Sequence, residues 1–268
     1  MDIITRWIDR SATLRITALD ATRACRTICL IHGLDGEPAR ALSQAICGGL
    51  LMASDLKSMQ TFSLQLDWGG WTSHVDATLE GLVRGLLVKR SHESTSARVQ
   101  GRRFGQKGLV YQSIVDVAAT DPAGALEGFL LQSDQQPTLV DLQVDLDREG
   151  LPSSARGAWL HGFPDTKPEH LAQFLSSWRS RGEGWNAVSP WMGLVVGPWD
   201  ALGSKEPQAF CPCSEEKAMG ALVALGRKTL EEAHEEGRDL EIICDFCHSR
   251  YAFQAGTLLS LLDGAAQA

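Results

Sequence analysis

No basic run and no long apolar run occurs in this sequence. The densest cationic stretch is the scattered "GRRFGQK" at 101–107 and the net charge is −8, so binding to a phosphate backbone is not its main business. No window approaches the ~18 uninterrupted apolar residues that a membrane-spanning helix needs. The opening "MDIITRWIDRSATLRIT" carries charges throughout and lacks an apolar core with a small-residue cleavage site, which leads us to expect a cytoplasmic protein. A Ser-His-Asp arrangement, a phosphate-cradling loop and a G-x-G-x-x-G fingerprint are likewise missing at useful spacing. Gly48/Gly49 and Gly69/Gly70 read as helix-packing and turn residues instead. What remains is a chain of 268 residues, 44% hydrophobic, long enough for one large domain and a small one.

Along the chain, residues 1–10 have Ile3, Ile4, Trp7 and Ile8 at helical spacing, and "TLRITALDAT" then alternates as a strand does. Residues 20–57 suggest two helices broken at "GLDGEP", the second apolar enough for a core. "TFSLQLDWGGW" and the runs near Val75 and Leu82–Val88 read as strands with a turn at Gly69–Gly70. "GLVYQSIVDV" and "TLVDLQVDLDREG" add two more. Between them a helix opens at Asp121 with Pro122 at its first position. Strands and helices mix without a regular βαβ beat, so the expected fold class is α+β. Residues 166–205 read as a helix followed by a Gly-, Pro- and Trp-rich connector. Trp159, Trp178, Trp185, Trp191 and Trp199 crowd into and around it, apolar surface that must dock to stay soluble. Residues 206–268 read as a separate small unit: a helix capped by Ser214 with Glu215 and Glu216 in its first turn, a second helix ending at Gly237, a short hairpin and a last helix from about Thr257.

In a reducing compartment, closely spaced cysteines point to metal or redox chemistry rather than structural disulfides. "AFCPCSEEK" sets Cys211 and Cys213 one residue apart at a helix start, and "ICDFCHSRY" sets Cys244 and Cys247 at a hairpin tip. Four thiolates of this kind suit one tetrahedral zinc. A unit of about 60 residues needs such a staple, worth ~10–16 kcal/mol of binding energy. Thiolates are also the nucleophiles that oxidants attack, and oxidising them expels a metal, so a redox switch is physically available. His248 is read as an exposed turn residue outside the filled tetrahedron. Cys25, Cys29 and Cys47 are read as core packing residues.

These stretches resemble the 33-kilodalton heat-shock protein family of redox-regulated chaperones. The likeness rests on "FCPCSEEKAMGALVALG" with "EIICDFCHSRYAF", supported by "FLLQSDQQPT" (129–138), "ALSQAICGGLLMASDLK" (41–57) and "VRGLL" (83–87). It implies an ATP-independent holdase, not an enzyme, that is inactive when reduced and zinc-bound. In that family oxidation joins neighbouring cysteines, here Cys211–Cys213 and Cys244–Cys247, releases zinc and unfolds the adjacent linker. Unfolding client proteins are then captured, commonly by a dimer. Transferred to this chain, residues 1–165 form the client-binding core, 166–205 the covering connector and 206–268 the zinc redox switch. Three features depart from the family pattern: Pro212 lies between the first two cysteines, His248 replaces a small residue, and the connector is rich in Gly, Pro and Trp. Two other readings of the residues stand beside this one. A constitutive zinc-ribbon binding module would keep its zinc under peroxide, and a thiol oxidoreductase would turn over insulin disulfides.

Overall fold

In the computed structural model, residues 1–9, 14–135, 138–163, 166, 169 and 199–265 are described. The helix expected at 167–185, apart from Glu169, and Trp178, Trp185 and Trp191 lie outside them. The chain divides into two compact units, Met1–Phe210 and Cys211–Ala268.

The larger unit is organised around one helix. Helix α1 (Thr22–His32) leads through the Leu34–Asp35 turn into α2 (Gly36–Ala53), and between Ala41 and Ala53 only Gln44 is left partly exposed. A helix apolar on every side must be covered on every side, and two sheets do this. One sheet has the antiparallel order β6 (Thr138–Leu146), β7 (Pro152–Gly162), β2 (Leu14–Asp20), β1 (Ile3–Asp9), β8 (Trp199–Lys205). The other is built from β3 (Thr61–Thr78), β4 (Leu82–Gly105) and β5 (Gly108–Val117), with the two-residue β9 (Gln208–Ala209) parallel to the start of β4. Glycine permits the close approach on both sides. A Cβ on Gly49 would sit 2.6 Å from Val75 Cγ1 of β3, and one on Gly157 of β7 would lie 3.3 Å from Cys47 Cβ. Helix α3 (Pro122–Ser133) packs on β4, β5 and β6, and the Asp121 carboxylate caps it by accepting from Gly124 N–H at 3.0 Å.

Three local expectations are corrected. Residues 3–9 are a strand: Ile4 is buried and β1 lies between β2 and β8, so tertiary pairing overrides an ambiguous apolar spacing. Gly69–Gly70 is not a turn but a register shift inside β3, which continues to Thr78; the reversal comes at Leu79–Gly81. Residues 199–205, placed in the connector, form β8 along the edge of the first sheet. Strand β7 carries no sequence expectation at all.

The smaller unit contains α4 (Glu215–Val223), α5 (Arg227–Glu235), the hairpin β10 (Asp239–Ile243)–β11 (Arg250–Gln254) and α6 (Ala255–Ala265). Its buried core is Ala218, Leu222, Leu230, Phe253 and Leu258. Among the described residues no helix is long and apolar enough to cross a membrane.

Candidate metal centre

Each half of the site is positioned by a different local device. Cys211 and Cys213 precede α4, whose N-cap is Ser214; the Ser214 hydroxyl accepts from Lys217 N–H at 3.3 Å and fixes the helix start. Lys217 Nζ donates to the Pro212 carbonyl at 2.6 Å, which ties down the residue between the two thiols. Cys244 and Cys247 lie in the reversal from β10 to β11. There Cys244 N–H bonds Ser249 C=O at 3.0 Å and His248 N–H bonds Cys244 C=O at 2.8 Å. His248 has φ 56°, the left-handed backbone that this tight reversal imposes.

The four Sγ atoms all lie within 4.8 Å of one another, and each cysteine is partly buried. Cys211 and Cys244 are separated by 3.7 Å, Cys213 and Cys247 by 3.3 Å. A tetrahedral thiolate centre with metal–sulfur bonds of about 2.3 Å spaces its sulfurs about 3.8 Å apart, so the cluster has the right size. Four soft donors and no carboxylate among them fit zinc rather than a hard cation. No described histidine joins this cluster, and His248 is exposed.

Two neighbours of the sulfurs carry no sequence expectation of their own. Tyr251 Oη donates to Cys213 Sγ at 3.2 Å, and Ser249 Oγ lies 3.2 Å from Cys247 Sγ. As a thiol Cys247 donates to that hydroxyl; as a thiolate it accepts from it. Burial pushes the Cys247 thiol up, but hydrogen bonds from the Ser249 hydroxyl and N–H and from Cys213 and Cys244 outweigh burial and bring it down to about 6. Tyr251, held by its hydrogen bond to Cys213, is pushed up to about 12 and keeps its proton. Period-two alternation on β11 was the available signal for Tyr251, since it shares a face with the buried Phe253.

The remaining thiols are elsewhere. Cys25, Cys29 and Cys47 are fully buried at the α1–α2 contact, where Cys25 faces the Ser43 carbonyl at 3.8 Å and Cys29 the Ala39 carbonyl at 3.7 Å. Burial drives Cys25 well above the usual thiol range and Cys29 up to about 12.

Fold and site together define an α+β protein with a four-thiol cluster suited to a soft metal ion. The family model for the Hsp33 protein matches residues 2–254, and the chain belongs to the Hsp33 family, that of the 33 kDa chaperonins. It is 26% identical to a 33 kDa chaperonin of Clostridium botulinum, over 97% of each chain. It is also 26% identical to one of Thermodesulfovibrio yellowstonii, over 98% of this chain and 99% of the other. The crystal structure of the 33 kDa chaperonin from Thermotoga maritima shares the fold with a TM-score of 0.83 at 20% identity, covering 100% of this chain and 99% of that one. This is a family of chaperones rather than of enzymes.

Proposed function

We propose that the chain is an oxidation-activated holdase of the cytoplasm, in which Cys211, Cys213, Cys244 and Cys247 are both zinc ligands and the sensor. The observation that carries this is the meeting of four thiols within 4.8 Å in a unit whose buried cluster, among the described residues, is built on Ala218, Leu222, Leu230, Phe253 and Leu258. A zinc ion held by the four would supply the cross-link that so small a unit otherwise lacks. The thiolates are the nucleophiles that peroxide or hypochlorous acid attacks. Each disulfide takes two of them out of the ligand set. The fully oxidised state carries Cys211–Cys213 and Cys244–Cys247, the family pairing, and the unit then lacks both its ligands and its fold. Residues 166–205 undock in consequence, and residues 1–165 take up unfolding client proteins, without ATP, in a form that can dimerise.

Apolar surface in the first 165 residues supports this reading. Strand β5 is the outer strand of its sheet, and Leu109, Val110 and Ile114 on it are each more than half exposed. An edge strand with exposed apolar side chains is a template for extended, unfolded chain. The test is light scattering from a thermally unfolding client, with the protein added either reduced and zinc-loaded or after peroxide at mild heat. Suppression by the oxidised form alone is expected. Retention of zinc under peroxide, with no suppression by either form, would replace this reading by a constitutive binding module.

A further inference from the structure

We infer that the cleft between β8 and the C-terminal end of α2 binds a small organic anion, a short alkyl carboxylate, and that the bound anion holds β8 to the core. The second half of this rests on the proposed reading of residues 166–205 as a connector that undocks; the first half does not. Ile4 and Arg6 of β1, Leu79 of the β3–β4 reversal, and Leu202 and Lys205 of β8 line the cleft. It therefore presents two cations and three aliphatic side chains, and none of its lining residues is acidic. Cations beside aliphatic walls, with no carboxylate to compete, suit an anion that carries an apolar chain.

Both cations are placed for one carboxylate. Arg6 pairs with Gly203 and Ile4 with Lys205, so Arg6 and Lys205 stand on a diagonal of the β1–β8 ladder, about 7–8 Å apart along the backbone. Side chains of that length meet readily over one ligand. Arg6 Nη1 donates to the Ser54 carbonyl at 2.8 Å, which anchors the guanidinium at the end of α2 with one of its five N–H donors. Asp55, the acid that feels the Arg6 charge, is paired with the Arg15 guanidinium. The Lys205 ammonium has no ion pair among the described residues, and the acid next to it, Glu206, is paired with Arg23.

The backbone of β8 is shaped at this cleft. Arg6 pairs with Gly203 but Trp7 pairs with Ala201, so Leu202 is the extra residue of a bulge. Gly203 has φ 116°, a conformation that glycine alone adopts easily, and a Cβ there would meet nothing within 4 Å. The glycine serves the bend rather than the packing. In a regular strand Leu202 and Lys205, three residues apart, would lie on opposite faces. The bulge brings both to the one cleft, which is what bulges beside binding sites do. The space is about 370 Å³ with its open mouth included, small for a ligand site, so the apolar chain is short.

Occupancy has a consequence for the connector. Leu202 and Lys205 belong to its last strand, whereas Ile4, Arg6 and Leu79 belong to the core that it lies on. A ligand that needs both sides binds only while β8 is paired with β1, and binding one state alone stabilises that state. Ligand at about ten times its Kd lowers the undocked fraction roughly tenfold. The resting chain thus has a reversible brake that acts away from the thiols.

The test uses the reduced, zinc-loaded full chain. Backbone amide shifts are followed by NMR as acetate, butyrate, hexanoate, inorganic phosphate or hexanol is added at constant ionic strength. Saturable shifts at Arg6 and at Leu202–Lys205 are expected with hexanoate, weakening by up to about fourfold for each methylene removed, and none that saturate with phosphate or hexanol. Lys205→Ala should weaken hexanoate severalfold, Lys205→Arg should restore it, and Leu202→Ser should flatten the dependence on chain length. Both side chains are exposed, so these variants leave the fold intact. Shifts that phosphate or hexanol reproduces, or that Lys205→Ala does not move, would overturn the site. Activation by peroxide is then timed by client light scattering. Hexanoate at about ten times its Kd should delay activation roughly tenfold in the parent and far less in Lys205→Ala. Equal onset with and without hexanoate in the parent would overturn the hold on β8. A ligand-free chain that peroxide never activates would sink the switch and the hold with it, while the site stands or falls on the NMR result alone.

Discussion

At the scale of the residue, the seven thiols fall into two groups, three fully buried and four partly exposed. Cys25, Cys29 and Cys47 have no solvent exposure, and burial raises Cys25 and Cys29 far from the reactive range. Titration of the reduced, chelator-treated chain with an aromatic disulfide reagent should count four fast thiols, with three more appearing only in denaturant; five or more fast thiols would contradict the buried placement. A second buried group sets a pH dependence. His161 on β7 is 3% exposed, with Nδ1 2.9 Å from Thr138 Oγ1 and Nε2 without a hydrogen bond, 3.7 Å from Asp55. That last distance does not make an ion pair, because the imidazole is neutral there. Burial first, then the Arg15 charge, lowers His161 to about 3. Above pH 6.5 neither folded nor unfolded chain holds this proton. Between 6.5 and about 3 only the unfolded chain takes it, so stability falls with falling pH, by at most about 1.4 kcal/mol per pH unit. Urea midpoints from pH 7 to 4.5 should fall less steeply in His161→Asn than in the parent, and parallel slopes would place the histidine's proton elsewhere. Of these residues the cysteines were legible, because spacing alone carries metal chemistry. His161 was not, since its environment is assembled by Arg15 of β2, Thr138 of β6 and Asp55 just after α2, from distant parts of the chain.

Elements with their own local signals were the legible ones: α2 by its apolar length, α3 by Asp121 and Pro122, α4 by Ser214. Strands fared worse where partners decide. Strand β1 is a strand because β2 and β8 flank it, and β7 is so buried, from Gly157 to Gly162, that no alternation marks it. The glycine pair in β3 gave a turn signal, yet the chain uses it to shift register. Glycine at an element contact yields a prediction of opposite signs. In α3, a Cβ on Gly128 would lie 2.2 Å from Val117 Cγ1, a short, stiff side chain of β5. Overpacking of this kind costs about 1–3 kcal/mol, more than the ~1 kcal/mol that alanine gains over glycine in a helix. Gly128→Ala should therefore lower stability. Gly220 in α4 meets nothing within 4 Å, so Gly220→Ala should stabilise the small unit by up to ~1 kcal/mol. Thermal melts of both variants check the pair, and a common sign would refute the packing argument.

Across the whole molecule, stability is divided unequally between the two units. The large one buries both faces of α2 under two sheets, whereas the small one has fewer than 60 residues and, among the described ones, a core built on Leu222, Leu230, Phe253 and Leu258, small for a fold without a cross-link. Composition and cysteine spacing suggest three parts, 1–165, 166–205 and 206–268, and the compact units are Met1–Phe210 and Cys211–Ala268. The boundary expected at 205/206 and the division of the compact units at 210/211 differ because β9 and Phe210 N–H still bond β4. If the four thiolates hold zinc, most of the small unit's stability is binding energy, ~10–16 kcal/mol at neutral pH, and the large unit owes it nothing. Hydrogen exchange on the reduced full chain, zinc-loaded and then stripped with a strong chelator, separates the two contributions. Protection should vanish in α4, α5, β10 and β11 while α2, β2 and β7 keep theirs, and Cys244→Ser should give the stripped pattern even with zinc present. Unchanged protection in the small unit after stripping would mean that it folds without its metal. Oxidation of the cysteines would then have no fold to undo, and the switch would lose its physical basis.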